Sequence, residues 1–357
     1  MTAETRVGRE GSPSLPTVTP VSEKGPSWWA RRRSTVEAWG FMAPAAVLVL
    51  VFFFLPMVLI VYMSFLDIQG GNFVDNPSVW APSNLSLDQY TKLFHDRFLF
   101  KILTNTLLYV IVTLILFNVG LALVISLLTT HIQRRVGFLF RLLWILPRIT
   151  PVVIYVLMWK RIGGPEPFGI LNDIVPFLEP RNWIFDSSCL LPLLCDNGVP
   201  LSGHLTSTWL FINVINGYIG ASFGMIIFSS AIESIPQDYI RAAMVDGASA
   251  LQRIRYVIIP MIKWPLLFVT TFQAMSLLTS YVEILLLTNG GPGLFHSEVW
   301  ALTSYKRAFS AYFGDAQYSY GAAWSVMLVI VGVTVSAFLL WKFRFADLVE
   351  EPKIDAI

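Results

Sequence analysis

The sequence predicts an all-α integral membrane protein with six transmembrane helices, and two observations support this fold class. Of the 357 residues, 55% are hydrophobic and only 13% are charged, whereas about a quarter are charged in an ordinary soluble domain. Six segments with at most one charge each are long enough to cross a hydrocarbon core, which needs about 20 helical residues. A net charge of +2 and two cysteines exclude a nucleic-acid-binding domain, a disordered chain and a disulfide-stapled secreted fold as descriptions of the whole chain.

The six predicted spans lie within residues 41–342. They are Phe41–Phe65, Ile102–Thr130, Leu142–Trp159, Leu205–Ile232, Trp264–Leu287 and Gly321–Trp341. Each segment must satisfy its own backbone hydrogen bonds inside a bilayer, so we expect helices despite the many Val, Ile and Phe residues. Residues 1–40 are rich in Pro, Ser, Thr and Glu and predict a disordered cytoplasmic tail. Residues 343–357 are predicted to form a cytoplasmic C-terminal tail.

The distribution of Lys and Arg predicts that both termini lie in the cytoplasm. With the N-terminus inside, 16 of the 25 Lys and Arg residues fall in cytoplasmic segments and 8 in external ones, although the external loops are longer. Membrane proteins carry such an excess of positive charge in their cytoplasmic loops. Loop 235–265, between the fourth and fifth spans, is therefore cytoplasmic, and loop 160–204 is external.

Loop 235–265 is predicted to form two short helices at the membrane surface. The first helix, Gln237–Val245, follows a proline, and the Asp246-Gly247 pair ends it. A second helix, Ala248–Ile259, is interrupted at Pro260. One interpretation is an amphipathic helix resting on lipid headgroups, for which the basic residues of the loop would suffice.

A second interpretation comes from the small and turn-forming residues of the same loop. It resembles the EAA loop of permease subunits in binding-protein-dependent ABC importers, through the residues Ala242, Ala243, Asp246, Gly247, Ala248 and Pro260. Other stretches resemble the carbohydrate-uptake branch of that family, which includes the larger maltose permease and the glycerol-phosphate permeases. They are Pro147, Pro151 and Trp159, the run Gly169 to Asn172, and the run Leu287 to Pro292. The resemblance covers nearly all of residues 41–342, apart from the stretch around 187–201.

The resemblance implies a permease subunit that forms half of the translocation pathway for a sugar, an oligosaccharide or a related polyol. The expected partners are a second homologous permease, two ATPase subunits that bind ATP and Mg, and an extracytoplasmic solute-binding protein. All would assemble at a bacterial or archaeal inner membrane. The EAA-type loop would transmit ATPase closure to the membrane helices. Arg241 replaces the family's acidic residue, so it either meets an acidic residue on the ATPase or points to solvent.

Four residues are candidates for the substrate pathway. Gln273, Ser276 and Ser280 recur on one face of the fifth predicted helix. Such a polar stripe lines a solute route or hydrogen bonds to a neighbouring helix. Alignment on the family's motifs selects Gln273 and Ser280 from this stripe, together with Gly220 and Phe223 on the fourth helix. Phe223 stands where the maltose permease has Tyr, which argues against a ligand identical to maltose.

Two charged residues lie inside the predicted spans. Arg148 belongs to the third span and Glu283 to the outer end of the fifth. A charge within the membrane is costly and normally faces a cavity or a partner. The sequence leaves open whether Arg148 and Glu283 form a buried ion pair or whether each reaches the membrane interface.

No catalytic, metal or nucleotide site is predicted, so we expect no cofactor on this chain and no enzymatic activity. The sequence contains no Gly-Lys pair, and therefore no phosphate-binding loop of the G-x-x-x-x-G-K-[ST] type. Cys189 and Cys195 share the external loop, where they form either a disulfide or two free thiols. An autonomous secondary transporter of a small polar solute is the alternative function. It would need coupling-ion carboxylates at mid-depth, and Glu283 is the only acidic residue within a predicted span.

Overall fold

The computed structural model describes residues 28–72, 76–174, 181–187, 195–196, 199–200, 206–309 and 315–342. The described residues are predominantly helical, as the sequence predicts. Their α-helices are α1 Trp28–Val49, α2 Leu55–Met63, α3 Asp88–Phe94, α4 Leu99–Val112, α5 Ala122–His131, α6 Arg134–Ile149, α7 Val152–Ile162, α8 Ile170–Ile174, α9 Ser207–Glu233, α10 Gln237–Val245, α11 Ala250–Arg253, α12 Ile259–Met261, α13 Lys263–Thr279, α14 Val282–Leu287, α15 Trp300–Phe309 and α16 Tyr318–Lys342.

Shorter elements connect or continue these helices. π-Helical segments join α1 to α2, α4 to α5 and α11 to α12, at Leu50–Phe54, Thr113–Leu121 and Ile254–Ile258. Two 3₁₀ turns, Pro77–Trp80 and Pro82–Asn84, precede α3. An antiparallel pair of two-residue strands, β1 Cys195–Asp196 and β2 Val199–Pro200, is the only sheet in the described part of the chain.

Four stretches of helix are long and apolar enough to cross a membrane without a break. They coincide with the first, second, fourth and sixth predicted spans, and run over Trp39–Met63, Leu99–His131, Ser207–Glu233 and Tyr318–Lys342. The other two predicted spans are bent pairs of helices, Arg134–Ile149 with Val152–Ile162 and Ala250–Met261 with Lys263–Thr279. Counting each bent pair as one span gives six within the described residues.

The third predicted span, Leu142–Trp159, is not one continuous helix. Helices α6 and α7 meet at an angle of 100°, and Thr150 between them has extended backbone, with ψ of 133°. Proline has no amide hydrogen and disfavours helical backbone in the residue before it, so Pro151 accounts for this break. Pro147, by contrast, is accommodated inside α6.

The fifth predicted span, Trp264–Leu287, also departs from a single helix. Its entry bend of 73° lies at Ile262, two residues after Pro260, which was expected to interrupt the chain. A π-helical segment ends at Ile258, and its wider turns accommodate the missing amide hydrogen of Pro260 without ending the helix. The span breaks again after Thr279, where Ser280 has extended backbone, and continues as α14.

The N-terminal boundary of the first helix also differs from the prediction. Helix α1 begins at Trp28, so residues 28–40, predicted as part of a disordered tail, are helical. The segment from Trp28 to Trp39 contains neither proline nor glycine, and this composition permits a helix. The remaining predicted tail segments, 1–27 and 343–357, lie outside the described residues.

Contacts between residues divide the chain into two units, residues 1–58 and 59–357. In the second unit, the largest hydrophobic cluster joins α4, α9, α15 and α16 around Tyr109, Trp209, Trp300 and Trp324. The indole Nε1 of Trp300 donates to the carbonyl oxygen of Trp324 at 2.7 Å, which satisfies a polar group that this cluster would otherwise bury unpaired. Helix α9 packs against α5, α6 and α13 and contributes to the polar site described next.

Candidate functional site

A polar cavity of about 460 Å³ lies where α6 gives way to α7 and α13 gives way to α14. Helix α9 and the π segment Thr113–Leu121 supply its other walls. The chain departs from helical geometry at both breaks, and residues on either side of each break line the cavity. The polar lining consists of Asn118, Arg148, Thr150, Tyr155, Asn216, Gln273, Ser276, Thr279, Ser280, Tyr281 and Glu283.

Gln273 belongs both to the cavity and to the contact between α13 and α9. Its side chain is 2% exposed, and its Nε2 donates to the carbonyl oxygen of Gly220 at 2.9 Å. Gln273 therefore makes the helix-to-helix hydrogen bond that the sequence offered as one alternative, and it also lines the cavity. Ser276, one turn further along α13, is exposed and lines the same cavity.

Ser280 lies beyond the end of α13 and not, as predicted, two helical turns from Gln273 on one helix. Its hydroxyl donates to Oε2 of Glu283 at 2.9 Å, and the hydroxyl of Tyr155 donates to Oε1 at 2.9 Å. Glu283 is therefore held at the cavity wall by one hydrogen bond from α7 and one from the break between α13 and α14. The Ser280-x-x-Glu283 spacing is typical of a helix start, and this signal could have located the break from the sequence.

Arg148 faces the cavity from the end of α6. One of its guanidinium nitrogens lies 3.5 Å from the carbonyl oxygen of Ile219, and the guanidinium carbon lies 5.3 Å from the ring centroid of Phe223. Within the described residues no ion pair joins Arg148 to Glu283, although both line the cavity. Of the two alternatives left open by the sequence, the ion pair is therefore not formed, and each charge has polar or aromatic contacts of its own.

Two amide side chains leave hydrogen-bonding atoms unpaired at the cavity. Oδ1 of Asn118 and Nδ2 of Asn216 are buried without a hydrogen-bond partner among the described residues. Asn118 is brought in by the close approach of the π segment to α9. A side chain at Gly220 would place its Cβ only 2.6 Å from Cγ of Asn118, so the absence of a Cβ permits this contact. An unpaired buried acceptor and donor are costly unless a ligand or water satisfies them.

Of the four predicted pathway residues, Gly220, Gln273 and Ser280 line one cavity and Phe223 does not. The Phe223 ring stacks on Phe272, with ring centroids 4.8 Å apart. Sequence reasoning missed the lining residues Asn118, Tyr155 and Asn216. The one signal in the sequence is that these residues are polar and lie within predicted spans. Many polar residues that do not line the cavity share this property.

The second candidate site is the helix-turn-helix of residues 236–262, which contains the predicted coupling residues. Gly247 ends α10, as predicted, and has a left-handed backbone with φ of +77°. The amide of Gly247 donates to the carbonyl of Met244 at 3.1 Å, and that of Ala248 to the carbonyl of Ala243 at 2.9 Å. These two bonds form a Schellman motif that ends α10.

The second helix of the helix-turn-helix, α11, begins at Ala250, two residues later than predicted. Ser249 caps α11 and forms a capping box with Gln252, in which the Ser249 amide donates to Oε1 of Gln252 at 2.7 Å. The Ser-x-x-Gln pattern would have located this start from the sequence. Behind the helices, a hydrophobic cluster connects the helix-turn-helix to the cytoplasmic end predicted for α9. Its buried members are Ile232, Ile235, Ile258 and Ile262.

Helix α10 presents its outer face to solvent. Val245 is 88% exposed, and Tyr239 and Met244 are also exposed. Arg241 forms a solvent-exposed ion pair with Asp238 at 3.8 Å. Exposed apolar side chains beside charged ones on a rigid helix are a surface suited to a protein partner.

The turn at Leu287–Pro292, which carries part of the family resemblance and is predicted to be external, is built around a buried ion pair. Nζ of Lys306 lies 2.7 Å from Oε2 of Glu298 and donates to the carbonyl of Asn289 at 2.9 Å. Gly290 has φ of +79°, and any Cβ there would collide with the Glu298 carboxylate. Burial raises the pKa of Glu298, although Lys306 opposes that shift.

The structure says little about the two cysteines of the loop predicted to be external. Cys189 lies outside the described residues, and only the backbone of Cys195, in β1, is described. Across the described ranges, no group of three or more His, Cys, Asp and Glu side chains could hold a metal ion.

Comparison with known proteins identifies a family. Residues 118–347 match the model of the family described as "Binding-protein-dependent transport system inner membrane component". A probable ABC transporter permease of Pyrococcus horikoshii is 28% identical over 314 residues, covering 85% of this chain and 94% of its own length. The α-glucoside transport system permease AglF of Rhizobium meliloti is 27% identical and covers 88% of this chain and 84% of its own length.

A third relative and a solved structure extend the comparison. The sulfoquinovosyl glycerol transport system permease SmoG of Agrobacterium fabrum is 23% identical, covering 93% of this chain and 99% of its own length. A chain of a bacterial ABC transporter involved in the import of alginate matches with a TM-score of 0.68 at 18% identity. That match covers 88% of this chain and 98% of the other. At this identity the structural likeness shows a shared fold.

Proposed function

Because the chain belongs to the family of inner-membrane components of binding-protein-dependent transport systems, we propose that it is the permease subunit of an ATP-driven importer for a sugar, oligosaccharide or related polyol. The observation that carries the solute class is the polar cavity. It combines hydroxyl, amide and charged side chains with an unpaired acceptor on Asn118 and an unpaired donor on Asn216. A solute with several hydroxyl groups can donate to one and accept from the other.

The substrate pathway runs through this cavity, with Gln273, Ser280 and Gly220 on its wall. Hydroxyl groups of the solute bond to the amides of Asn118, Asn216 and Gln273, while Arg148 and Glu283 offer charge-assisted bonds at the two helix breaks. Phe223 acts on the pathway indirectly, because its ring lies beneath the Arg148 guanidinium. The relatives that transport α-glucosides and sulfoquinovosyl glycerol, by their names, support the sugar class.

The helix-turn-helix couples this pathway to partner ATPases. Its docking surface consists of Arg241, Ala242, Ala243, Asp246, Gly247 and Ala248, and Pro260 lies in the helix that leads back to the membrane. The Schellman turn and the capping box fix the angle between the two helices, and the isoleucine cluster ties them to α9. Motion of the docked ATPase would thus reach α9 and α13, which both line the cavity, and switch it between outward- and inward-facing states.

The full assembly contains a second homologous permease, two ATPase subunits with their ATP and Mg, and an extracytoplasmic solute-binding protein. In this arrangement the chain has six spans in a bacterial or archaeal inner membrane, with both termini in the cytoplasm. A solved alginate transporter in complex with a pentasaccharide-bound periplasmic protein has a chain of the same fold, with a TM-score of 0.69. The family assignment favours this importer over an autonomous secondary transporter.

Co-purification and reconstitution test the proposal. The tagged chain should purify with stoichiometric ATPase subunits, and vesicles containing the complex should take up solute only with ATP and the binding protein. Transport by the chain alone, driven by an ion gradient, would contradict it. Single cysteines at Gln133 and Ala250 should react with impermeant thiol reagents only after permeabilisation, and one at Ser83 should react from outside. Reversed labelling would overturn the orientation.

A further inference from the structure

A second groove, separate from the polar cavity, lies between the first half of α6 and the C-terminal end of α9, next to the helix-turn-helix. Its volume is about 470 Å³. One end is basic and contains Arg134, Arg135 and Arg141. An apolar trough follows one stripe of α6, through Phe138 and Leu142, to Ile226 on α9. The polar residues Ser229, Ser230 and Glu233 of α9 complete the lining. The groove therefore has a cationic end and an apolar trough, which match the anionic headgroup and the acyl chain of a lipid.

The basic end has positive charge that the described part of the chain does not neutralise. Arg141 forms an ion pair with Glu233 at 2.7 Å and thereby fixes α6 to α9. Arg134 and Arg135 form no ion pair with any described carboxylate. They also occupy the first turn of α6, whose N-cap residue provides no side-chain hydrogen bond. Unpaired amides at a helix start add to the attraction for an anion.

A buried hydroxyl in the groove points to the same kind of ligand. Ser229 is 1% exposed and lines the groove, and its Oγ has no hydrogen-bond partner among the described residues. A buried polar atom without a partner is costly. A phosphodiester or glycerol oxygen placed beside the arginines would supply the missing bond. A free anion would satisfy the charges but leave the apolar trough empty.

We infer that this groove is a binding site for one anionic phospholipid. The phosphate lies between Arg134 and Arg135 at the start of α6, the glycerol region reaches Ser229, and an acyl chain lies along Phe138, Leu142 and Ile226. Basic pockets between membrane helices at the cytoplasmic side recognise lipids in this way. The bound lipid would brace α6 against α9, the two helices that supply Arg148 and Gly220 to the polar cavity.

The test measures phosphatidylglycerol bound to the purified complex in phosphatidylcholine nanodiscs of increasing phosphatidylglycerol content. In the double variant Arg134→Gln/Arg135→Gln, affinity should fall about 30-fold, roughly fivefold for each cation near the headgroup. The matched control, Arg255→Gln/Lys342→Gln, removes two cations from the same predicted membrane side and should retain wild-type affinity. Ile226→Trp, which fills the trough, should also release the lipid while leaving both arginines in place.

Three results would overturn the inference. Equal affinity in the arginine variant and its control would show that the basic end attracts lipid only through general charge. Displacement of the lipid by inorganic phosphate would identify a free-anion site. Loss of the second permease subunit from the arginine and Ile226→Trp variants, with lipid retention unchanged, would show that a protein covers the groove.

Discussion

The polar cavity and the helix-turn-helix differ in how their residues are brought together. The helix-turn-helix is a continuous segment, and its turn is fixed by bonds between residues at most five positions apart. The cavity gathers side chains from residue 118 to residue 283, on six separate elements. Local hydrogen bonds suffice for the first site, whereas the second exists only when distant helices pack. Changes in the two sites should therefore fail in different ways.

The largest effect is expected from Gly220→Ala in the cavity wall. The added Cβ would lie 2.6 Å from Cγ and 2.7 Å from Nδ2 of Asn118, and overpacking of this kind costs about 1–3 kcal/mol. We expect a lower yield of folded protein and a loss of transport of about fivefold to 150-fold, from uptake assays normalised to inserted protein. Gly40→Ala is the control, because no atom lies within 4 Å of its added Cβ. Normal transport by Gly220→Ala would mean that α9 and Asn118 are not tightly packed.

Gly247→Val should separate the two sites, because it strains only the helix-turn-helix. No atom lies within 4 Å of an added Cβ at Gly247, so the cost is that of a left-handed backbone, about 1–2 kcal/mol. We expect normal insertion but about fivefold to thirtyfold weaker ATPase association in pull-down titrations. Gly247→Asn should remain close to wild type, since Asn tolerates this conformation. Identical behaviour of the Val and Asn variants would show that the positive φ is unimportant for docking.

Gln273→Leu distinguishes solute binding from helix packing. It removes the hydrogen bond to Gly220 and one donor facing the cavity, each a contribution of about 1 kcal/mol. We expect about a fivefold rise in the solute concentration needed for half-maximal transport, with ATPase assembly retained. Thr334→Val is the control, because its hydroxyl bonds only to its own helix at Ile330. If yield falls in parallel with transport, the residue serves packing alone.

The smallest effect is expected from Arg241→Gln. The ion pair of Arg241 with Asp238 is solvent-exposed, and exposed pairs contribute little to stability. The melting temperature should therefore not change, whereas the salt dependence of ATPase association should decrease if Arg241 meets an acidic partner. Arg255→Gln, on the second helix of the unit, provides the comparison. An unchanged salt dependence would indicate that Arg241 faces solvent in the complex.

The sequence by itself determined the membrane class, the approximate positions of the spans and the helix-turn-helix. These features depend on runs of apolar residues and on glycine, serine and proline acting within one or two turns. Gly247 is an example, because its left-handed backbone follows from the residues beside it. The Ser249 capping box was equally local and could have been predicted.

Only the tertiary structure decided the cavity and the breaks that shape it. Ser280 carries a hydroxyl, as expected of a pathway residue. Its position, however, depends on the break after Thr279 and on its hydrogen bond to the Glu283 carboxylate. Asn118 lies 102 positions from Gly220 in the chain and meets it only because glycine lets a π segment approach α9. Contacts between distant residues have no local signature, since either partner could pack elsewhere. Their geometry arises when the helices associate.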